Sequence, residues 1–342
     1  MDTVFSMLPQ VLLPWYYANM RILPWRVDKD PYHIWLSEIM LQQTRVEAVK
    51  NYYTRFLGEL PTIENLARCD DDKLHKLWEG LGYYSRVRNL KKAAQVIVNE
   101  YSGHFPRDYH QVLSLPGIGE YTAGAVCSIC FDQPVPAVDG NVLRVIARIT
   151  DDHTPVDIPA HKKQVREELF RIYPAQAGDF TQALMELGAT VCGPNKKPDC
   201  VNCPCKDFCL GHARGTAEKL PVKQPRRSRR EEDKTVLIIS CSNSYALIKR
   251  PDTGLLAGLW QFPDAEGFLD AQQALSLVES MGLQPMQIYR ERTLIHIFTH
   301  VQWNMRGFYV EVARQEGPFT WFTGEALEKE AALPTAYRQF WK

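Results

Sequence analysis

The turn Leu115-Pro116-Gly117-Ile118-Gly119 constrains the fold of this chain more than any other stretch. Pro116 cannot continue a preceding helix, and Gly117 and Gly119 can adopt the positive φ of a tight turn between two helices. A run rich in small residues follows over residues 120–130. Such a turn presents bare backbone N–H groups at the start of the second helix, where a phosphate can bind. We therefore predict two helices joined by a glycine turn.

Asp139 is the second feature of this region. It directly precedes Gly140-Asn141 and an amphipathic run over residues 142–149. This position predicts an N-cap carboxylate at a helix N-terminus, where it should stay ionised. Taken singly, a glycine turn and a capping aspartate usually have no function beyond structure.

Glu38 lies in a predicted helix that starts at Asp30-Pro31, an N-cap followed by a first helical proline. It is placed beside the apolar stripe that contains Trp35 and Ile39, rather than opposite it. Partial desolvation there would raise the pKa of the carboxyl and let it carry a proton near neutrality. On these residues alone, an exposed surface glutamate is the simpler interpretation.

Cysteines give the most specific chemical signal. Five of the nine lie between Cys192 and Cys209, which favours a metal or cluster site in a reducing compartment over disulfides. Cys192, Cys200, Cys203 and Cys209 are separated by seven, two and five residues. Four thiolates at this spacing can hold a [4Fe–4S] cluster or a structural zinc ion. Cys205 is excluded as a ligand, because one residue separates it from Cys203.

Length and composition set the frame for these motifs. The 342 residues suffice for two domains, and the formal net charge of zero does not by itself indicate a nucleic-acid binder. Residues 214–230 carry seven Lys or Arg and read as a disordered basic tether. Strand-like runs then appear at 236–239, 245–248, 288–293 and 305–312, with helices near 268–281 and at the C-terminus. We predict no signal peptide and no membrane-spanning stretch.

Several segments together resemble the MutY family of adenine DNA glycosylases, which belongs to the endonuclease III-like helix-hairpin-helix superfamily. These segments are SEIMLQQTRV, GLGYYSR, LPGIGEYTAGA, VDGNVLRV, the cysteine set and LAGLWQFP, in the family's order. The resemblance implies a multi-domain protein. Its parts would be an all-α helix-hairpin-helix glycosylase domain with an iron–sulfur loop (1–213), a basic linker (214–231) and a C-terminal α+β Nudix-like domain (232–342).

The resemblance also implies an activity: base-excision repair by flipping and hydrolytic removal of adenine opposite 8-oxoguanine or guanine, leaving an abasic site. Glu38 would protonate the departing adenine, and Asp139 would stabilise the cationic sugar. Tyr121 and Asn141 would support the site by hydrogen bonding. Tyr121 stands where endonuclease III carries its strand-cleaving lysine, so a glycosylase without strong lyase activity is expected.

DNA contacts follow from the same resemblance. Gln43 and Tyr83 would enter the base stack, Gln182 would contact adenine, and a Phe298-Thr299-His300 loop would read 8-oxoguanine, with Thr in place of the family's Ser. No Glu-rich Nudix catalytic motif is present, so recognition without hydrolysis is implied. The remaining expected contacts to DNA or substrate are Arg26, Gln42, Thr44, Leu81, Gly117, Gly119, Lys196 and Lys197.

The implied cofactor is a [4Fe–4S] cluster on Cys192, Cys200, Cys203 and Cys209, although the family usually has six residues, not seven, in the first gap. The implied partner is duplex DNA, bound by a cytoplasmic monomer that associates with the bacterial nucleoid. Two alternatives stay open. An endonuclease III-like glycosylase/lyase on oxidised pyrimidines is disfavoured by Tyr121 and by the second domain. A noncatalytic iron–sulfur DNA-binding protein would not need two carboxylates.

Overall fold

The computed structural model describes residues 2–194, 197–225 and 228–341. The chain forms two compact units, Met1–Arg68 with Asn89–Pro225, and Cys69–Arg88 with Arg226–Lys342. Residues 69–88 therefore pack with the C-terminal part of the chain, although they lie within the predicted glycosylase domain in sequence order. Within the described ranges, no helix combines the length and apolar character needed to cross a bilayer.

Helices make up nearly all of the regular structure before residue 214. They are α1 (Asp2–Asn19), α2 (Pro31–Leu41), α3 (Val46–Glu59), α4 (Ile63–Arg68), α5 (Asp71–Trp78), α6 (Ser85–Glu100), α7 (Tyr109–Ser114), α8 (Glu120–Phe131), α9 (Gly140–Thr150), α10 (Pro159–Phe170), α11 (Ala177–Thr190) and α12 (Leu210–Ala213). This confirms the all-α prediction for the first domain.

Helix α1 was not predicted from the sequence, because Pro9 and Pro14 disfavour a continuous helix there. The helix continues through Pro9 and Pro14. Its apolar residues Phe5, Leu8 and Leu12 are buried in a core shared with α9 and α11. Burial of this face offsets the hydrogen bonds that the two prolines cannot make.

The predicted glycine turn lies between α7 and α8. Gly117 has a φ of 75°, and a Cβ there would stand 2.5 Å from the Asn89 Cβ, so only glycine fits. Gly119 differs from the expectation: it is the N-cap of α8 with φ −101° and ψ 176°, an extended conformation open to any residue. The turn thus requires glycine at position 117 only. Position 119 has the extended backbone of a helix N-cap, which any residue can adopt.

The predicted disordered tether is partly packed. Ala217 and Leu220 are buried, and Arg148 Nε donates a hydrogen bond of 3.0 Å to the Leu220 carbonyl. The Val156 N–H donates to the Val222 carbonyl at 3.0 Å. The basic composition of residues 214–230 gave no sign of these anchoring residues. They attach the first half of this segment to the helical unit.

The second unit contains a mixed seven-stranded sheet, as the predicted α+β class requires. Strands β1 and β6 are parallel, and the strand order is β3-β2-β1-β6-β5, with β4 on β1 and β7 on β2. Helix α13 covers one face, and α14 and α15 cover the other. The short strands β3, β4 and β7 were not predicted. The bounds are β1 Arg230–Cys241, β2 Ser244–Lys249, β3 Trp260–Gln261, β4 Asp264–Glu266, α13 Ala271–Ser280, β5 Pro285–Ile297, β6 Val301–Val312, β7 Thr320–Thr323, α14 Gly324–Lys329 and α15 Thr335–Trp341.

Candidate active site

A cavity of about 940 Å³ opens in the helical unit and collects most of the predicted active-site residues. Side chains from α2, α8, α9 and α11 form its walls. Nine predicted residues line it: Arg26, Glu38, Gln42, Gln43, Thr44, Tyr121, Asp139, Asn141 and Gln182. Residues more than a hundred positions apart in sequence therefore meet in one pocket.

Glu38 is buried in this wall with only 6% of its surface exposed. Helix α2 is covered on almost every side, because residues 34–40 are all buried. The pKa of the Glu38 carboxyl is raised to about 7, chiefly because burial removes solvent and in part because Asp139 is nearby. A hydrogen bond from the Tyr121 hydroxyl and the charge of Arg26 oppose the rise. The expected desolvation is confirmed, and the surface-glutamate alternative is wrong.

Asp139 is the N-cap of α9, as predicted. Its Oδ1 accepts from the Val142 N–H at 2.8 Å, and its Oδ2 accepts from Asn141 Nδ2 at 2.6 Å. Burial nevertheless raises the pKa of Asp139 above its ordinary value, although both hydrogen bonds oppose the shift. Desolvation therefore outweighs the N-cap contacts in the direction of the shift, while the predicted N-cap position of Asp139 is confirmed.

Asn141 is held from its far side. Its Oδ1 accepts from Arg144 Nη2 at 2.9 Å, and the same nitrogen donates to the Gly188 carbonyl at 2.7 Å. A Cβ on Gly188 would stand 2.8 Å from the Asn141 Cβ, so α9 and α11 approach closely at this point. Arg144 is itself buried, and thus orients the amide that hydrogen-bonds Asp139.

A buried ion-pair cluster beside the cavity was missed by sequence reasoning. Glu186 is fully buried and accepts from Arg26 Nη2 at 2.7 Å and from Arg21 Nε at 2.5 Å. Burial alone would raise the pKa of Glu186, but the hydrogen bonds from the two arginines hold it below its ordinary value. The available signal was spacing, since Glu186 follows Gln182 by four residues on α11 and shares its helix face. The predicted Arg26 is thereby fixed in the cavity wall.

Two lysines of the cavity wall were not predicted. They are Lys162 and Lys223. The stretch from Gly117 to Val138, which contains the glycine turn and Tyr121, has no lysine of its own. Both come from segments distant in sequence, so no local motif pointed to them.

The polar segment after α2 forms a tight turn at the cavity. Gln43 adopts a φ of 58°, which is uncommon for a residue with a side chain. The Thr44 N–H donates to the Leu41 carbonyl at 3.2 Å, and Gln42 Nε2 lies 3.5 Å from Thr122 Oγ1. Left-handed backbone at a non-glycine residue often marks a functional site, because it must be held by its surroundings.

The four predicted cluster cysteines line a second, much smaller cavity together with Arg148. Arg148 Nη1 donates to Cys192 Sγ at 3.2 Å. Cys205 does not line this cavity and is fully buried in the helical core. A hydrogen bond from the Cys205 thiol lowers the pKa of Cys203 below its ordinary value. Across the described ranges, no three Cys, His, Asp or Glu side chains are gathered in a metal-binding arrangement. The donor set and the adjacent arginine suit thiolate coordination.

The two lysines of the first cysteine gap differ in what can be said of them. Lys197 is exposed, and its Nζ lies 3.2 Å from Glu218 Oε1. Lys196 lies outside the described residues. The predicted phosphate contacts of both remain predictions.

The predicted reading loop lies in the second unit, at the tip of the β5–β6 hairpin. The Phe298 ring packs against Trp303 and His296, with centroids 4.8 and 4.5 Å away, while Thr299 and His300 are exposed. The Thr299 hydroxyl lies 2.9 Å from the Tyr83 hydroxyl. A residue predicted to enter the base stack and a residue predicted to read 8-oxoguanine are therefore neighbours within this unit.

Tyr83 and Leu81 have opposite surroundings. Tyr83 is 46% exposed and has a φ of 47°. Leu81 is 7% exposed. Its predicted contact with DNA stays a prediction.

Two protein families match this chain. A family described as "HhH-GPD superfamily base excision DNA repair protein" matches residues 36–174, and a "NUDIX domain" matches residues 235–342. The chain is 34% identical to the adenine DNA glycosylase of Rattus norvegicus, with 97% of this chain and 76% of that protein aligned. The adenine DNA glycosylase of Buchnera aphidicola is 32% identical, with 85% and 83% aligned.

Solved structures resemble the helical part. A thermostable thymine-DNA glycosylase matches with a TM-score of 0.57 and 29% identity, covering 62% of this chain and 98% of that protein. A trapped endonuclease III–DNA covalent intermediate matches with a TM-score of 0.54 and 22% identity, covering 63% and 98%, which shows likeness of fold alone. The helical unit thus has the fold of DNA glycosylases.

Proposed function

This chain belongs to the adenine DNA glycosylase family of base-excision DNA repair enzymes, and we propose that it hydrolytically removes adenine opposite 8-oxoguanine or guanine in duplex DNA. The catalytic domain would span residues 1–213, the linker 214–231 and the recognition domain 232–342. Adenine stacked in a duplex is out of reach, so its nucleotide would be flipped into the cavity of the helical unit.

The observation that carries this proposal is the buried carboxyl of Glu38, with its pKa raised to about 7, in one cavity with a second carboxylate. Adenine leaves a sugar poorly as an anion. Protonation at N7 by Glu38 makes it a neutral leaving group, and a pKa near the working pH suits both holding and giving up the proton. The Tyr121 hydroxyl donates to Glu38 and so fixes the orientation of the acid.

Asp139 supplies negative charge where the sugar becomes positive. As the bond from C1′ to adenine breaks, its electron pair leaves with the protonated base and the sugar gains oxocarbenium character. Asp139 would stabilise this cation as an ion pair or by a transient covalent bond, and water would then add to C1′. Two hydrogen bonds, from Val142 N–H and Asn141, aim the carboxylate and favour its ionised form. The product is an abasic site.

Strand cleavage is not part of the proposed reaction. Tyr121 occupies the position of the endonuclease III lysine, and burial raises the pKa of its hydroxyl well above the usual value. A Schiff base with the sugar aldehyde requires an amine, and a tyrosine hydroxyl cannot form one in either protonation state. We expect little covalent complex when abasic DNA and enzyme are mixed with borohydride, in contrast to a glycosylase/lyase.

Cys192, Cys200, Cys203 and Cys209 would hold a [4Fe–4S] cluster. When bound, the cluster would cross-link α11, the cysteine loop and the start of α12. The shared cavity of these four thiols and the separate burial of Cys205 support this ligand set. Purified protein should contain about four iron and four sulfide per chain. Stoichiometric zinc in anaerobically prepared, colourless protein would contradict it, as would loss of iron in Cys205→Ser.

Recognition of the opposite base is assigned to Thr299 and His300, with Phe298 as their anchor. Their exposure and the packing of Phe298 support a polar reader on a fixed hairpin. We expect the protein to act as a monomer on cytoplasmic, nucleoid DNA.

Base release under single-turnover conditions tests the whole proposal. Duplexes carrying A opposite 8-oxoguanine, G or T are compared with duplexes carrying an oxidised pyrimidine. Adenine should be released fastest opposite 8-oxoguanine, more slowly opposite G, and least opposite T. Release of the oxidised pyrimidine instead would favour the glycosylase/lyase alternative. Tight binding with no release of any base would favour the noncatalytic one.

A further inference from the structure

The segment of residues 69–88 packs with the C-terminal domain at several separate points. Lys249 Nζ lies 2.8 Å from Asp72 Oδ1. Arg88 Nη1 donates to the Ala257 carbonyl at 2.6 Å, within the LAGLWQFP motif that the proposed reaction does not use. This motif therefore has a visible role in holding the segment.

Glu79 makes the densest set of these contacts. Its Oε1 lies 2.5 Å from Arg338 Nη1 and accepts from the Leu333 N–H at 3.0 Å. Its Oε2 lies 2.8 Å from Lys76 Nζ, which also donates to the Ala331 carbonyl at 3.2 Å. We call these contacts the Glu79 clamp. They join the C-terminal end of α5 to the residues that precede α15 and to α15 itself.

The clamp is partly sheltered from solvent. The Glu79 and Arg338 side chains are 12% and 25% exposed. Screening by water is weaker here than for fully exposed pairs such as Glu325–Lys329, at 77% and 70% exposed. One carboxylate satisfying two cations and a backbone N–H is thus a specific connection rather than a loose surface pair.

The clamp leads directly to the turn that carries Tyr83. Trp78, next to Glu79, is fully buried, and its Nε1 donates to the Gly82 carbonyl at 3.0 Å. Arg86 Nη2 donates to the Leu81 and Gly82 carbonyls at 3.1 and 3.2 Å. The backbone on both sides of Tyr83 is therefore tied to the end of α5.

Tyr83 itself is held in an unfavourable backbone conformation with its hydroxyl at Thr299. A left-handed φ of 47° in a tyrosine requires support from its surroundings. The contact of 2.9 Å between the two hydroxyls joins the turn to the hairpin tip. Movement at the end of α5 would therefore change the position of Thr299.

We propose that Glu79 is a positioning residue for lesion reading: by clamping the segment around residues 331–338 to α5, it holds the Tyr83 turn and the Thr299 loop in register as one reading surface. This rests on the proposed function. Glu79 would touch neither the adenine nor the sugar. Its loss should therefore act on the preference for the opposite base more than on base release itself.

Preference is measured as the ratio of single-turnover adenine release opposite 8-oxoguanine to that opposite G. Glu79→Ala should lower this ratio about tenfold, the size of one base-discriminating polar contact. Arg338→Ala should also lower it, and the double variant should lower it by less than the product of the two single effects, because both variants remove the Glu79–Arg338 pair. In a Thr299→Ala background, Glu79→Ala should change the ratio no further. Equal slowing on both duplexes, or additive effects with Thr299→Ala, would overturn the proposal.

Hydrogen–deuterium exchange in the DNA-free full chain tests the clamp without any activity. Glu79→Ala should speed exchange of peptides covering residues 80–86, and Glu79→Gln, which keeps the shape, should do so less. Glu325→Ala is the matched control and should leave both exchange and ratio unchanged. Unchanged exchange in Glu79→Ala would overturn the clamp even if wild-type protein released no adenine, a result that would count separately against the proposed function.

Discussion

The cavity of the helical unit and the tip of the β5–β6 hairpin use polar side chains under opposite conditions. Glu38 is 6% exposed, and the lack of water around it raises its pKa to about 7. Thr299 and His300 are exposed at the surface of the second unit. Proton transfer needs a carboxyl whose affinity for protons is changed by burial, whereas base reading needs donors that a ligand can reach.

The two regions are also held in place differently. Asp139 is aimed by a helix N-cap and by Asn141, so its position follows from the start of α9. The hairpin tip depends on the Phe298 ring against Trp303 and on the Phe298 N–H, which donates to the Val301 carbonyl at 2.8 Å. Buried catalytic groups take their rigidity from packed helices, and an exposed reader needs a separate anchor.

Replacing the acid should have the largest effect on activity. Glu38→Gln should slow adenine release by about a hundredfold to ten-thousandfold, because an amide cannot deliver the proton. In the wild-type protein, release should fall as the pH rises through about 7, where the carboxyl ionises. Single-turnover rates across pH measure both effects. Full activity of the variant, or a flat profile through neutrality, would remove Glu38 from this role.

The second carboxylate gives the next largest effect. Asp139→Asn should slow release by about a hundredfold or more, since the sugar cation loses its counter-charge. Asparagine is an equally good N-cap, so α9 and DNA binding should persist. Rates and a DNA-binding isotherm at one salt concentration test this. A loss within about tenfold, roughly 1.4 kcal/mol of barrier, would contradict the assignment.

Burial of Glu38 should also lower the free energy of unfolding when the carboxyl is ionised. The exposed residues Thr299 and His300 should show no such effect. The pKa of Glu38 is about 7 in the folded protein and near 4.5 otherwise, so the folded state binds the proton more tightly. Its stabilising contribution is complete below the lower value and is lost as the pH rises through the higher one. Above that, the ionised carboxyl costs on the order of 3 kcal/mol.

Glu38→Gln should therefore melt higher than wild type at about pH 8.5, with the gain disappearing towards about pH 4. Thermal melting at both pH values measures this. Thr299→Ala is the control, because an exposed hydroxyl should change stability little at either pH. An equal shift at both pH values would indicate a packing effect rather than the removal of a buried charge.

Disabling the reader should have the smallest effect and a different pattern. Thr299→Ala with His300→Ala should lower release opposite 8-oxoguanine by about tenfold or somewhat more, and release opposite G far less. Both rates are measured under single-turnover conditions at one salt concentration. If the ratio between the two duplexes does not change, the loop only packs and does not read the lesion.

Local rules predicted much of the framework. Asp30-Pro31 starts α2, Gly117 makes the turn before α8, and Asp139 caps α9, because capping and turn chemistry depend on neighbouring residues. Strand-like runs at residues 236–239 and 305–312 located parts of the long strands β1 and β6. The strands β3, β4 and β7 are too short to show a hydrophobic period. Helix α1 contains two prolines, which disfavour a helix prediction.

The sequence by itself determined the residue types, their order and the local starts and turns, and through family resemblance it identified most of the cavity wall. Only the tertiary structure decided how those groups behave. Three features depend on residues that are far apart in sequence. They are the ion pairs of Glu186 with two arginines, the raised pKa of Glu38 and the contact between Tyr83 and Thr299. Burial and charge pairing are properties of three-dimensional neighbours, and residue order specifies them only after the chain has folded.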